Sequence, residues 1–257
     1  MMVRPKIFYN NYKEEKLKIF ISGIRVMPAI QRNIGARNAS GKIYLFIDSD
    51  AFPSNKWVEN VVKAYHDGIR LGGGGYKVPE FQNENKVALA QYYFEFNEFI
   101  EQEGMSQKRM LPSCNLFCDS DIFKEVGGFP EIRAAEDTLF CLNAGKVSPL
   151  TFLPDTYVYH IFKEEKIKYY MNQLMIGEYA YHFRTIYFKN YFYNSRIPRI
   201  IFPVIYLLKM LRIMFRIYNS GQGHFLKLMK SFRYFISGSL YWSKGFLIAT
   251  KKPLLHS

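Results

Sequence analysis

A chain of 257 residues, 49% hydrophobic and 18% aromatic, can bury a sizeable core, which excludes a disordered or fibrous protein. Its formal charge of +13 is uneven: residues 1–160 hold 19 Lys+Arg against 19 Asp+Glu, so the excess falls on residues 161–257, with 16 bases, 3 acids and no acid after Glu178. Cys114, Cys118 and Cys141 lack metal-ligand spacing to a His pair and read as reduced thiols, and the start, MMVRPKIFYNNYKEEK, has no apolar run of a secretory signal.

In chain order, KLKIFIS (Lys16 to Ser22) is a β-branched and aromatic run fit for a buried strand. PAIQRNIGARNASG opens on a proline and closes near Gly41, which suits a helix, and KIYLFID (Lys42 to Asp48) is a second strand. Pro53 to Gly68 sets Trp57, Val58, Val61, Val62 and Tyr65 at helical spacing behind Ser54, the expected N-cap. A strand near Gly74 to Val78, a helix near Lys86 to Ile100 and a strand near Leu111 to Cys118 follow. GGGGY (Gly72 to Tyr76) lacks the Lys-Ser/Thr of a phosphate loop and reads as a close-packed strand start. Strands alternating with helices predict an α/β fold with an open, mostly parallel sheet, whose ligands bind beyond the carboxyl ends of the strands.

FIDSDAF (Phe46 to Phe52) and FCDSDIF (Phe117 to Phe123) share an Asp-Ser-Asp in different settings. Asp48 and Asp50 lie where an apolar strand runs out, and side chains at i and i+2 of an extended segment point the same way. Two carboxylates so placed suit a divalent cation, Mg2+ or Mn2+, that shares its oxygen shell with substrate phosphates; an acidic turn is the other reading. Asp119 to Asp121 instead precede IFKEVGGF, a short helix ended by Gly127 and Gly128, so Asp119 or Ser120 serves as an N-cap. Glu136 and Asp137 in AAEDTLFC open another helix, favourably for its dipole, and His160 in TYVYHIF is either a packed histidine or a metal ligand.

QRNIGARNASGKIYLFIDSDAFPSNKWVENVV, GGGGYKV and PSCNLFCDSDIFKEVGGFPEIRAAEDTLFC together resemble, in order and spacing, the family-two glycosyltransferases of GT-A fold, over about Ile30 to Phe162. The resemblance implies a nucleotide-diphospho-sugar transferase sheet in residues 1–162, without the family's N-terminal nucleotide-binding unit. It implies that Asp50, with Asp48, holds Mn2+ or Mg2+ on the diphosphate of a nucleotide-sugar donor, that Asp48 also reaches the ribose, and that Arg32 and Asn33 lie near the donor. It further implies Asp137 as general base for the acceptor hydroxyl, with inversion, Glu136 as an orienting group, and His160 near the metal. The Gln-X-X-Arg-Trp motif of processive members is absent, so transfer of one sugar is expected. A catalytically silent homologue that binds a partner transferase or a glycan is the alternative.

Residues 163–257 read as a helical, basic region. Lys209, Arg212 and Arg216 fall on one expected helical face with apolar residues over the rest, and Lys227, Lys230 and Arg233 repeat the pattern. Within the stretches Arg196 to Asn219 and Phe225 to Ala249, the longest uncharged runs, Ile200 to Leu208 and Tyr234 to Ser243, are nine and ten residues, short of the roughly twenty that cross a bilayer. Basic amphipathic helices lie in the headgroup region, so the expectation is a cytoplasmic protein peripheral to the anionic inner face of the cell membrane, with a lipid-linked or glycan acceptor and a part in polysaccharide biosynthesis. No nucleic-acid partner is expected, because such a surface needs no wide apolar faces.

Overall fold

The computed structural model describes residues 17–20, 24, 26–100, 104–132, 135–188 and 197–251. Helix α1 (Pro28–Arg37) begins on a proline, whose fixed φ and missing N–H suit a first turn. Strand β1 (Ile43–Phe46), the short β2 (Ala51–Pro53), helix α2 (Trp57–His66) and strand β3 (Leu71–Lys77) follow. Helix α3 (Lys86–Phe96) is capped by the Asn85 side chain, which accepts from the Val87 and Ala88 amides. After it come β4 (Ser106–Gln107), β5 (Leu116–Asp119), α4 (Ser120–Glu125), α5 (Glu136–Ala144) and the long β6 (Thr151–His160). Three long helices, α6 (Lys166–Phe188), α7 (Ile197–Asn219) and α8 (Gln222–Ala249), complete the described chain.

The strands form one sheet in the order β1-β5-β3-β6-β2, with β4 also on β6. The α/β class stands, but the mostly parallel sheet is corrected: among the described residues only β3 and β6 pair in parallel, and the other pairings are antiparallel. β1, β3 and β6 do point one way, as helices between strands require. β5 enters between β1 and β3 reversed, and β2 and β4 run against β6; a turn leads into β2 and a 3-10 turn into β5, while α3 stands between β3 and β4.

Local expectations met mixed outcomes. Residues 17–20 carry no strand, and the rest of the Lys16 to Ser22 expectation lies outside the described residues. Ser54 is not the N-cap of α2: its carbonyl accepts from the Trp57 amide, and its buried hydroxyl has no partner among the described residues. The helix expected to reach Ile100 ends at Phe96, and the strand expected from Leu111 starts only at Leu116. Pro112, which has no N–H to give a ladder, precedes a 3-10 turn over Ser113–Asn115. The glycine run is a close-packed strand as expected, because a Cβ on Gly73 or Gly74 would collide with the carbonyls of Asn115 or Thr156.

One continuous core runs from the sheet into the C-terminal helices. Val87 to Phe94 of α3 are buried on every side, as befits a helix enclosed between two layers. Toward the sheet, Tyr76 meets Phe96 with ring centroids 4.6 Å apart; toward α8, Phe94 meets Phe235 and Trp242. α6 and α8 cross so closely that Gly177 faces the Trp242 carbonyl and Gly245 the Leu174 carbonyl, with no room for a Cβ at either.

The polarity of α7 differs from the expected one. Lys209 turns inward, its Nζ 3.3 Å from the Trp242 ring centroid and 4.4 Å from that of Phe94. Arg216 donates to Asn97 Oδ1 at 3.0 Å and pairs with Glu98 at 2.5 Å, while Arg212 is exposed. Aromatic faces and one carboxylate thus draw two of the three bases onto the protein. The outward face is apolar: Ile200, Val204, Leu207, Leu208, Leu211 and Phe215 are each more than half exposed. No helix among the described residues is long and apolar enough to cross a membrane.

Candidate functional site

The expected carboxyl-end edge is where the charged side chains gather. β1 ends at Phe46, and the Asp-Ser-Asp segment is a turn closed by the Ala51 amide on the Asp48 carbonyl at 3.1 Å. The expected extended geometry is therefore corrected, and the two carboxylates diverge. Asp48 Oδ1 accepts from Arg32 Nη2 at 2.6 Å, whereas Asp50 Oδ1 lies 3.7 Å from His160 Nε2. The Ile161 amide donates to the Asp50 carbonyl at 2.7 Å, which fixes the turn to the end of β6.

Arg32, on α1, divides its fork between two acids: Nη1 donates to Glu136 Oε1 at 2.9 Å. Its side chain is 13% exposed, so both bonds are charge-assisted and shielded from water. Burial pushes the Glu136 carboxyl above its ordinary range, the neighbouring Asp137 adds to this, and Arg32 opposes it. Burial also raises Asp137, against the Thr138 amide, which donates to Asp137 Oδ1 at 2.7 Å, and against the charge of Arg32. The approach to α5 is held by Ala135 at φ 66° and ψ 18°, a left-handed conformation uncommon for a residue with a Cβ. Glu136 and Asp137 consequently occupy the first turn of α5, where the dipole favours negative charge.

Asn33 stands apart from this cluster. Its amide is buried, donating to the Phe129 carbonyl at 2.8 Å and accepting from the Phe129 amide at 2.9 Å. It positions the loop whose Phe129 ring lies 5.6 Å below the Arg32 guanidinium. Between α1 and β1 opens a cleft of 650 Å³, with Arg32, Asp48 and Asp50 on its wall.

Among the described residues no three His, Cys, Asp or Glu side chains are arranged as a metal site. Asp48 is engaged by Arg32, which leaves Asp50, about half exposed, and His160 beside it. Burial lowers the His160 pKa, with Asp50 and Asp48 opposing, and its Nδ1 has no partner among the described residues. Such a sparse oxygen-and-imidazole set fits a Mg2+ or Mn2+ that takes most of its ligands from substrate phosphates and water. The three cysteines are buried and unpaired, and burial pushes the Cys114 thiol up to about 12.

The second Asp-Ser-Asp is structural, as expected. Asp119 ends β5 and caps α4, accepting from the Asp121 and Ile122 amides. Burial works to raise its pKa, but bonds from Tyr65, Arg70 and the Asp121 amide hold it at about 2. One feature escaped the sequence: Tyr157 and Tyr159 of β6 and Phe52 of β2 line up on the outer face of the sheet beside Asp50, with only the period-two YVY as a clue.

Residues 8–127 match the family described as Glycosyl transferase family 2. The match includes Arg32, Asp48 and Asp50 and ends before Glu136, Asp137 and His160. Glycosyltransferase AglE of Haloferax volcanii is 31% identical over 117 residues, 45% of this chain and 38% of that protein. A pre-mycofactocin glycosyltransferase of Mycobacterium tuberculosis is 27% identical over 119 residues, 44% of this chain and 25% of that protein. The chain thus spans well under half the length of the curated relatives it matches. Among solved structures, GalNAc-T7 with UDP, GalNAc and Mn2+ aligns at 14% identity over 56% of this chain and 32% of that one, with a TM-score of 0.41.

Proposed function

We propose that this chain is a glycosyltransferase of the family whose model residues 8–127 match, and that it moves a single sugar from a nucleotide-sugar donor to a hydroxyl of a lipid-linked or glycan acceptor, with inversion. The observation that carries the reading is the Arg32 fork, which joins the Asp-Ser-Asp turn to the start of α5 through Asp48 and Glu136. A donor group and an acceptor base must share one small volume, and the fork ties Asp48, two residues before Asp50, to Glu136, the neighbour of Asp137.

Asp137 takes the acceptor hydroxyl proton onto its carboxylate as the oxygen attacks the anomeric carbon. The bond from that carbon to the diphosphate oxygen breaks, and the nucleoside diphosphate leaves with the electron pair. Glu136, fixed by Arg32, orients the acceptor, while Asp48 faces the ribose side of the donor. Asn33 acts only through the Phe129 loop. A Mn2+ or Mg2+ held by Asp50 and His160 would neutralise charge on the departing diphosphate. Release of nucleoside diphosphate from a panel of nucleotide sugars with Mn2+ tests the reading. Release that is lost in Asp50→Ala and in Asp137→Asn supports it; no release with any donor favours the silent homologue.

The stretch after Glu178, which holds no acidic residue, and the exposed apolar face of α7 support a place at the cytoplasmic face of an anionic membrane, where a lipid-linked acceptor for polysaccharide synthesis would be met. On this reading α7 lies in the membrane surface with Ile200, Leu207 and Phe215 toward the acyl chains.

A further inference from the structure

The sheet edge next to Asp50 carries an aromatic face that the reaction above leaves unused. β2 and β6 pair with Ala51 opposite His160 and Phe52 opposite Tyr159. Residues facing each other across strands share a side of the sheet, so Phe52 and Tyr159 stack, their centroids 5.1 Å apart and their planes 20° from parallel. Tyr157, two residues along β6, is on the same side with its centroid 5.6 Å from that of Tyr159. Lys77, at the end of β3, places Nζ 4.0 Å over the Tyr157 ring. These rings stay partly open to solvent: Phe52 is 39% exposed and both tyrosines are half-buried, with the Tyr157 plane 83° from that of Tyr159, so that the two present different edges and faces outward. The row then runs into a polar cleft of 500 Å³ whose walls include Ser54, Asn55, Asn60 and Asp155.

A cross-strand aromatic stack steadies an antiparallel edge, and one stack needs no other explanation. That account leaves out the third ring, the polar cleft at the far end and the start of the row two residues from Asp50. A pyranose matches all three features. Its C–H face is apolar and lies flat on an aromatic ring, while its hydroxyls project sideways toward amides and carboxylates.

We propose that Phe52, Tyr159 and Tyr157 form a track for the saccharide chain of the acceptor, with sugar units remote from the reacting hydroxyl held in the cleft at Asn55, Asn60 and Asp155. The inference rests on the sugar-transfer reading and adds to it that the acceptor is an oligosaccharide of several units. The occupant is a glycan rather than a nucleobase, because successive rings suit a repeating chain and the cleft offers the hydroxyl, amide, ammonium and carboxylate groups of Ser54, Asn55, Lys56, Asn60 and Asp155 to the many hydroxyls of a sugar.

Saturation-transfer NMR on the full chain tests this, with maltohexaose, cellohexaose, chitohexaose and mannohexaose as probes. At least one hexaose should receive saturation at its ring protons. Its affinity should fall about tenfold in Tyr157→Ala/Tyr159→Ala, the scale of a lost aromatic face. Asp50→Ala should leave it unchanged. Should the double variant fail to melt cooperatively, Tyr159→Leu, which keeps apolar bulk without the ring, carries the same expectation. Saturation of no hexaose, or equal affinity in a folded track variant, overturns the track. Nucleoside diphosphate release is read in parallel: its loss with glycan binding intact counts against the transferase reading alone, and its retention without glycan binding counts against the track alone.

Discussion

Arg32 and Glu136 are 104 residues apart in sequence and 2.9 Å apart in space, and the second arm of the same guanidinium holds Asp48 at 2.6 Å. One side chain thus sets the distance between the turn assigned to the donor and the helix start assigned to the acceptor. Lysine keeps the charge but offers one point of contact instead of a fork.

Arg32→Lys should therefore lower kcat/KM by about tenfold or more, with a melting temperature near that of the parent. Arg32 also holds the Glu136 and Asp137 carboxyls down against burial. A general base must be ionised, so activity falls as pH drops through its pKa. Arg32→Ala should move that acid limb to higher pH, and a pH profile of kcat/KM with an unmoved limb would count against Asp137 as the base.

The twin motifs should separate cleanly. Asp50→Ala removes a half-exposed carboxylate and should abolish turnover and its response to Mn2+ while leaving the thermal melt unchanged. Asp119→Ala removes a cap together with the partner of Tyr65 and Arg70, and should cost about 2 kcal/mol of stability while leaving turnover per folded molecule intact. Asp121, exposed and 3.6 Å from Lys124, should be nearly silent in both measurements.

Asp119 also predicts an acid-side weakness. Its folded pKa of about 2 is below the usual 3.8, so its contribution is fully present above about pH 4 and is lost as pH falls from there toward 2. Solvent around the half-exposed Arg70 limits the effect to about 1 kcal/mol. Urea midpoints of parent and Asp119→Asn, measured from pH 5 to pH 2.5, should converge.

Lys209 is an ammonium set among rings, and burial lowers its pKa well below the ordinary 10.5. Replacing it with a chain of similar volume removes a desolvated charge, so Lys209→Met should change stability by less than about 1.5 kcal/mol in either direction. Lys209→Glu places an acid against the same rings and should unfold the helical layer, which far-UV dichroism would register.

Vesicles of phosphatidylglycerol should sediment the parent protein, and Leu207→Glu/Leu211→Glu should stay in the supernatant. Because the outward face of α7 is apolar, 0.5 M salt should weaken this binding without abolishing it. Complete release by salt would assign the contact to bases alone.

Much of the framework was legible because it is local. Pro28 at a first turn, Asp119 before a short helix and the glycines of β3 each declare themselves within a few residues. The insertion of β5 between β1 and β3 does not, since strand pairing is settled by the whole sheet rather than by the strand itself. The Asp48 and Asp50 pair is legible as an Asp-Ser-Asp after an apolar strand, but the divergence of its carboxylates depends on Arg32 and His160, which lie on α1 and β6. Lys209 is a case of the same kind: the rings that draw it inward come from α3 and α8, invisible to a helical wheel. Tyr157 and Tyr159 gave a period-two signal, yet Phe52, which completes the row, sits in another segment.

The burial of α3 on every side carries one more consequence. The chain changes character chemically near residue 162, from neutral to strongly basic, but mechanically there is no seam at that point. α3 is a wall shared by two rooms, with Tyr76 and Phe162 on one side and Phe235 and Trp242 on the other. A fragment cut at 162 would keep Asp48, Asp50, Glu136 and Asp137 and still present the whole naked flank of α3 to water. The sheet and the basic helices therefore stand or melt together, and the foot resting on the membrane would be part of the same rigid object as the hand holding the sugar.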